Sequence, residues 1–328
     1  MANGSAPCET DAPGRSAATL HLVPARIDPR TRRRVRGALL DWYAAGHRDF
    51  PWRATFDPYA VLVSEVMLQQ TQAARVAERF GRFMDRFPTA ASLAAASSAD
   101  VLAEWSGLGY NRRALALQRA AATVSRVGWP PNVAGLAALP GVGPYTARAV
   151  ASLAFGVPAG VVDTNVRRWL LRRFGGPDDL RRLQGVADAL AAPGLGADVA
   201  AWTHATMEFG AGVCRSRDPR CDACPIARGC PSRGAAGVVP VPRQAGLRGS
   251  DRAYRGAILR LLSGARRHAL DERALRAGLA GDVARIGSVL DAVLDDRGWE
   301  RIVAALEADG LVHRSRGAVR LGLATIGA

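Results

Sequence analysis

Four closely spaced cysteines form the clearest candidate for a metal-binding site. Their spacing is C-x6-C-x2-C-x5-C, at Cys214, Cys221, Cys224 and Cys230, whereas the fifth cysteine, Cys8, lies alone near the N-terminus. Four thiolates can hold either a [4Fe-4S] cluster or a structural zinc ion. The first residues do not read as an export signal, which favours metal binding over disulfides. Zinc sites usually have two CxxC pairs and this segment has one, but the thiols alone leave both metals open.

Two acidic residues stand in informative positions. Glu65 lies in the segment SEVMLQQTQ (64–72), next to Val66, Met67 and Leu68. An apolar setting raises the pKa of a carboxyl group, although most Glu residues are simply exposed. Asp163 lies in VVDTN (161–165), directly before a predicted helix, where an Asp commonly caps the first turn.

A Gly/Pro-rich turn, LPGVG at 139–143, opens into another predicted helix. Its two glycines permit positive φ and carry no side chain, so backbone N–H groups could face a phosphate beside the positive end of the helix dipole. Such contacts position a protein on DNA without reading its sequence. The turn alone is equally typical of an ordinary structural connection.

The basic residues are all arginine. The chain has 328 residues, 44 Lys and Arg against 29 Asp and Glu, and a formal net charge of +15. The excess predicts a polyanionic partner, most simply nucleic acid, unless it reflects only an arginine-rich coding bias. No lysine is present, which excludes any mechanism that needs a Schiff base on a lysine side chain.

These candidate residues must be positioned by helices. Apolar spacing and capping residues predict an all-α region up to residue 235 without strands before residue 310. Helices are predicted at 31–45, 60–87, 99–105, 111–126, 183–192 and 198–212, with two more within 139–155, after the Gly/Pro-rich turn, and within 161–174, after Asp163. Residues 1–30 are predicted to be a disordered tail. No run of apolar residues is long enough to span a membrane, and we expect a cytoplasmic protein.

A second unit follows a predicted linker. Residues 233–250 are rich in Gly and Pro and have no periodicity. Residues 251–328 contain three helical stretches and a hairpin around Arg316 and Gly317. This order predicts a small winged-helix-like α+β module, which could bind DNA or pack against protein.

Together these motifs resemble the MutY-type adenine DNA glycosylases of the endonuclease III-like, helix-hairpin-helix superfamily. SEVMLQQTQ resembles the signature of that family, LPGVG lies 20 residues before Asp163 when counted from Gly143, and the cysteine spacing is similar to that of the cluster loop. The resemblance covers residues 31–232. It implies a two-lobed all-helical fold, a [4Fe-4S] cluster held at 214–230 and a double-stranded DNA substrate with a mismatched or damaged base pair.

The resemblance also assigns catalytic roles. It places Glu65 as the general acid that protonates adenine and Asp163 as the anion that stabilises the sugar cation. Tyr145 would orient Asp163, and Asn165 would support it. Tyr145 occupies the place of the attacking lysine in endonuclease III-like lyases, so the resemblance implies a monofunctional enzyme that releases the base without cutting the strand.

The same resemblance implies which residues contact the DNA and which contact the target adenine. Gln70 and Tyr110 would wedge into the DNA stack, while the hairpin would hold the backbone through Leu139, Gly141, Val142 and Gly143. The adenine pocket would be lined by Arg48, Trp52, Arg53 and His204. His204 departs from the Gln or Glu common in this family, but a neutral imidazole still offers one donor and one acceptor.

Two other functions fit the sequence. A thymine or uracil mismatch glycosylase on the same fold would also carry Tyr145, and an iron–sulfur DNA-binding regulator would need no catalysis. The chain resembles a short form without the Nudix-like domain that reads 8-oxoguanine in many relatives, so the opposite-base preference stays open. A monomer is expected.

Overall fold

The computed structural model describes residues 27–192, 194–234, 246–285 and 287–324. Within them the chain is mainly helical, as predicted, and has fourteen α-helices: α1 (Pro29–Ala45), α2 (Pro58–Leu68), α3 (Ala73–Arg86), α4 (Ala90–Ala95), α5 (Ser98–Glu104), α6 (Arg112–Val127), α7 (Val133–Ala137), α8 (Pro144–Phe155), α9 (Thr164–Phe174), α10 (Leu180–Ala191), α11 (Val199–Gly212), α12 (Asp251–Gly264), α13 (Glu272–Val283) and α14 (Asp296–Ala308). No described helix is long and apolar enough to cross a membrane.

Helix α2 is the central helix of the first lobe. Asp57 caps its start by accepting from the N–H groups of Tyr59 and Ala60, and Pro58 occupies the first helical position. Residues 59–67 are all buried, because α2 is apolar on every side. The sequence therefore carries Glu65 into an apolar interior.

The predicted single helix over 60–87 is wrong. The chain leaves the helical path after Leu68 and resumes it at Ala73, and Gln70 has a left-handed backbone with φ of 54°. The guanidinium of Arg113, which comes from the start of α6, binds the carbonyl oxygens of Val66 and Gln69. These carbonyls are thereby satisfied without a further helical turn.

Two hydrophobic cores define the lobes. The first contains α2 to α8, and the second contains α1, α9, α10, α11 and the cysteine segment. The N-terminal helix α1 therefore packs on α11, far away in sequence. The lobes meet where α8 contacts both α2 and α11, and here the end of α2 and the starts of α8 and α9 bring Glu65, Tyr145 and Asp163 close together.

The C-terminal residues form helices and a three-stranded antiparallel sheet in the order β1-β3-β2, with β1 at Ala269–Asp271, β2 at Val312–Ser315 and β3 at Ala318–Leu321. The hairpin of β2 and β3 was predicted. Strand β1 was not, and the expectation of no strand before residue 310 is wrong, because three residues are too few to show an alternating pattern.

This C-terminal unit packs directly on the first lobe. Helix α12 and strand β3 contact α5, and Ile258 and Trp299 belong to the same hydrophobic core as Leu102. The backbone N–H of Leu323 donates to the Ser98 hydroxyl at 2.9 Å. Residues 1–26 of the predicted tail and residues 235–245 of the predicted linker lie outside the described residues.

Candidate active site

Glu65 is a buried carboxyl group on the last turn of α2. Its side chain lies in an apolar setting with 4% exposure, and its Oε2 atom has no hydrogen-bond partner among the described residues. Burial raises its pKa to about 7, the negative charge of Asp163 acts in the same direction, and a hydrogen bond with Tyr145 opposes the rise. At neutral pH a large fraction of Glu65 is therefore protonated.

Asp163 caps helix α9, as its position in the sequence predicted. One carboxylate oxygen accepts from the backbone N–H of Val166 at 2.6 Å, and the other accepts from the Asn165 amide at 2.8 Å. Burial raises its pKa, but these hydrogen bonds and the charge of Arg168 oppose the rise. Asp163 accepts two hydrogen bonds from N–H groups, whereas Glu65 has, within the described part of the chain, only the hydrogen bond with Tyr145, so Asp163 is the carboxyl group that ionises more readily.

Tyr145 lies on the first turn of α8, between the two acids. Its hydroxyl is hydrogen-bonded to Glu65, and burial together with the charges of Glu65 and Asp163 raises its pKa well above the ordinary tyrosine value. The hydrogen bond of Tyr145 goes to Glu65, whereas Asp163 acts on Tyr145 through its charge, so the expected role of orienting Asp163 stays a prediction. The structure thus brings all four predicted catalytic residues together: Glu65, Tyr145, Asp163 and Asn165.

A buried arginine on α9 links this site to the cysteine segment. Arg168 donates to the Asn165 side-chain oxygen at 2.9 Å and to the Cys214 carbonyl at 2.8 Å. It also reaches the carbonyl of Gly210, where α11 passes so close to Asn165 that a Cβ on Gly210 would lie 2.7 Å from the Asn165 carbonyl oxygen. Sequence reasoning missed Arg168, although its place one turn after Asn165 on the same helix face was a signal.

The predicted base pocket is organised by a residue that the sequence analysis missed. Glu208 on α11 is buried and binds Arg48 at 2.7 Å and Arg53 at 2.7 Å. Burial alone would raise its pKa, but the two guanidinium groups lower it overall. Glu208 follows His204 by one helical turn, which places both on one face. The two ion pairs with Glu208 fix the positions of both arginine side chains.

His204 and Trp52 take different parts in this pocket. Burial, helped by the positive charge of Arg53, lowers the pKa of His204 to about 3, so its imidazole is neutral at physiological pH. Trp52 is 5% exposed and packs between Phe50 and Phe80. It is therefore a core residue beneath the pocket and contributes little surface to a ligand.

The four predicted cysteines line one cavity. None is in a disulfide, and the apolar walls come from Trp169, Phe209 and Ile226. The four thiols surround a shared space, and thiolates can hold either a [4Fe-4S] cluster or a zinc ion. The Arg172 guanidinium lies 3.6 Å from the sulfur of Cys214.

The hairpin uses its two glycines differently. Gly141 has φ of +74°, and a Cβ there would lie 2.6 Å from the Cβ of Ala116. Gly143 has φ of −81° and faces open space, so the expectation that both glycines serve positive φ is wrong for Gly143. Leu139 and Val142 are buried and donate their N–H groups within the protein, so both support the turn, and their contact with DNA stays a prediction.

Alanine substitutions are expected to distinguish the structural role of Gly141 from the predicted DNA-contact role of Gly143. Gly141→Ala should destabilise the protein by at least about 2 kcal/mol, since it combines a strained backbone with a clash. Gly143→Ala should leave the melting temperature nearly unchanged but weaken duplex binding by roughly tenfold, because the added methyl group would keep a phosphate away from the backbone N–H groups of the turn. Thermal melting and a fluorescence binding titration measure both effects. Equal destabilisation by the two variants would contradict this assignment.

Comparisons with known proteins identify related DNA repair enzymes. A family model described as "HhH-GPD superfamily base excision DNA repair protein" matches residues 63–189. The adenine DNA glycosylase of Mycobacterium tuberculosis (strain H37Rv) is 40% identical over 298 residues, which cover 84% of this chain and 90% of the relative. The Mycolicibacterium smegmatis adenine DNA glycosylase is 43% identical over 237 residues, covering 68% and 78%. The human adenine DNA glycosylase is 43% identical over 216 residues, covering 60% and 39%.

Two solved structures share this fold over 62% of the chain. A thermostable thymine-DNA glycosylase aligns with a TM-score of 0.57 and 31% identity, covering 62% of this chain and 96% of that one. Endonuclease III in a non-covalent DNA complex aligns with a TM-score of 0.52 and 27% identity, covering 62% and 97%.

Proposed function

Since the chain belongs to the adenine DNA glycosylases of the HhH-GPD superfamily, we propose that Glu65 and Asp163 catalyse removal of adenine mispaired with 8-oxoguanine or guanine. The protein is a base excision repair enzyme that hydrolyses N-glycosidic bonds in DNA. The observation that carries the proposal is the buried Glu65, with a pKa of about 7, beside a carboxylate held by N–H donors. Such an acid and anion pair is what glycosidic hydrolysis requires.

The reaction begins with extrusion of the target nucleotide, because an adenine stacked in a duplex cannot reach a buried carboxyl group. Glu65 donates its proton to N7 of adenine, which makes the base a better leaving group. The C1′–N9 bond then breaks, its electron pair passes to the base, and the sugar becomes an oxocarbenium ion. Water adds to C1′ and gives up a proton, which restores the acid form of Glu65 and leaves an abasic site and free adenine.

The remaining catalytic residues stabilise the sugar cation and position the carboxyl group of Glu65. Asp163 stabilises the sugar cation as an anion, and Asn165 and the N-terminus of α9 keep it ionised. Tyr145 stays protonated and holds the Glu65 carboxyl group. The chain has no lysine that could attack the sugar, so strand cleavage by a lysine Schiff base is not expected.

Recognition of the extruded adenine is proposed for the pocket of Arg48, Arg53 and His204. A buried neutral imidazole can donate one hydrogen bond and accept one, which suits the edge of adenine. Glu208 fixes the two arginines by ion pairs. Gln70 and Tyr110 would enter the DNA stack, and the hairpin would hold the backbone through Gly141 and Gly143. The enzyme is proposed to act as a monomer.

The four cysteines are proposed to hold a [4Fe-4S] cluster. The shared cavity, its apolar walls and the nearby Arg172 support this: thiolates are the usual ligands of such clusters, and a cation offsets their charge. When bound, the cluster would serve as a structural cross-link that fixes the segment 214–230. The carbonyl of Cys214 is also where Arg168 is anchored.

The pH dependence of excision follows from the two carboxyl groups. Glu65 acts in its protonated form, so the single-turnover rate should fall by about tenfold for each pH unit above its pKa of about 7. The acidic limit is set by protonation of Asp163, whose pKa is raised by burial. Single-turnover rates from pH 5 to 9, at enzyme concentrations that saturate the duplex, test this. A rate that rises from pH 7 to 9 would contradict the acid role.

A further inference from the structure

Arg113 connects two loops that are distant in sequence. It lies on the first turn of α6, and its guanidinium extends into the break between α2 and α3. One terminal nitrogen donates to the carbonyls of Val66, at 2.7 Å, and of Gln69. The other donates to the carbonyl of Gly109 at 3.0 Å and to the Thr71 hydroxyl at 3.2 Å. A single planar group therefore binds the loops 69–72 and 107–110 together.

Each of these loops contains one residue with an unusual backbone conformation. Gln70 and Tyr110 have left-handed backbones, with φ of 54° and 48°, which are unfavourable for residues with side chains. Both side chains are exposed, Tyr110 by 39%. Strained residues persist where the surroundings determine their conformation, and Arg113 binds the carbonyl directly before each of them, at Gln69 and at Gly109.

The guanidinium itself is unusually placed. The oxygens that it binds are backbone carbonyls and one hydroxyl, none of which is charged. It lies 5.5 Å from the ring centre of Trp105 and 5.3 Å from that of Tyr110. Burial lowers its pKa to about 10, so it still carries its charge at physiological pH. A cation buried without a carboxylate costs free energy, which suggests that the position is kept for geometry.

We infer that Arg113 is a positioning residue for base extrusion, which holds Gln70 and Tyr110 as one preformed wedge. This inference rests on the proposed function, in which both residues enter the DNA stack. A wedge that is ordered before binding spares the entropy of ordering two loops on the DNA. The five N–H donors of a rigid fork suit this task, and the ammonium of a lysine cannot replace them.

The test compares Arg113→Lys and Arg113→Gln with Arg112→Gln as a matched control. Arg112 is adjacent, and its largely exposed side chain pairs with Asp309 at 3.5 Å. Extrusion is followed by the fluorescence of 2-aminopurine placed at the target position. Excision is measured at single turnover on adenine in a mispair and on adenine in an unpaired bulge, where less stacking must be broken.

With both Arg113 variants, the fluorescence of 2-aminopurine should not rise when the protein binds the duplex. Excision from the mispair should be slowed by about 100-fold, as misplacement of a distant group can do. Excision from the bulge should fall much less. Arg112→Gln should match the wild type in both measurements. Thr71→Val, which removes one acceptor of Arg113 at nearly unchanged volume, should give an intermediate loss on the mispair and provides a milder variant that retains the fold.

Three outcomes would overturn the inference. Normal extrusion and excision by Arg113→Gln would show that the loops need no clamp. Full activity of Arg113→Lys would show that charge alone is sufficient. Equal loss on the mispair and the bulge, together with a lower melting temperature, would assign Arg113 to general stability. Failure of the wild type to release adenine from any duplex would instead refute the proposed function.

Discussion

Glu65→Gln is expected to reduce adenine release by about 1000-fold or more, within the range that a general acid supplies, while duplex binding stays at the wild-type level. The amide keeps the shape of the side chain but has no acidic proton to give to adenine. Single-turnover excision and a binding titration on the same duplex separate the two effects. Glu104→Gln, which changes a carboxylate paired with Arg82, should excise normally. Near-wild-type excision by Glu65→Gln would remove Glu65 from the acid role.

The same variant should be more stable than the wild type at alkaline pH. The folded-state pKa of Glu65, about 7, lies above the ordinary value of 4.5, so the wild type loses stability as the pH rises between these values. The neutral amide avoids this loss, which is on the order of 3 kcal/mol. Melting curves at pH 5 and pH 8 should show a difference between the proteins that grows with pH. A difference independent of pH would contradict the buried setting of Glu65.

Cys221→Ala is expected to abolish the brown colour that the proposed cluster would give the protein, together with most of its DNA affinity. Loss of one thiolate breaks the set of four that would hold the cluster, and the segment 214–230 would lose its cross-link. The carbonyl of Cys214 anchors Arg168, which in turn holds Asn165, so excision should also fall. Visible absorption, iron content and duplex binding measure these effects.

The matched control for this variant is Cys8→Ala, which removes the cysteine outside the cluster spacing. It should keep the colour, the iron content and the DNA affinity of the wild type. A colourless wild-type protein that contains one zinc ion would contradict the cluster assignment. So would a Cys221→Ala protein with unchanged iron content.

Much of the fold could be predicted because local signals mark the helix ends. Asp57, Asp163 and Pro144 begin helices where capping rules place them, and the apolar surroundings of Glu65 are visible in its neighbours. The cysteine spacing also identified a set of side chains that do line one cavity. These features depend on residues that are close in sequence.

The sequence could not predict features that depend on distant contacts. The break between α2 and α3 depends on Arg113, more than 40 residues later. The pairing of Arg48 with Glu208 joins residues 160 positions apart. Strand β1 exists because β3 pairs with it, and the different roles of Gly141 and Gly143 depend on where Ala116 lies.

The central claim is tested most directly by a single-turnover excision assay on three duplexes, each read with and without alkali. They carry adenine opposite 8-oxoguanine, adenine opposite guanine, and thymine opposite guanine. The account predicts release of adenine, with strand breaks only after alkali because no lysine is present, and no release of thymine. Release of thymine alone, or strand breaks without alkali, would contradict it.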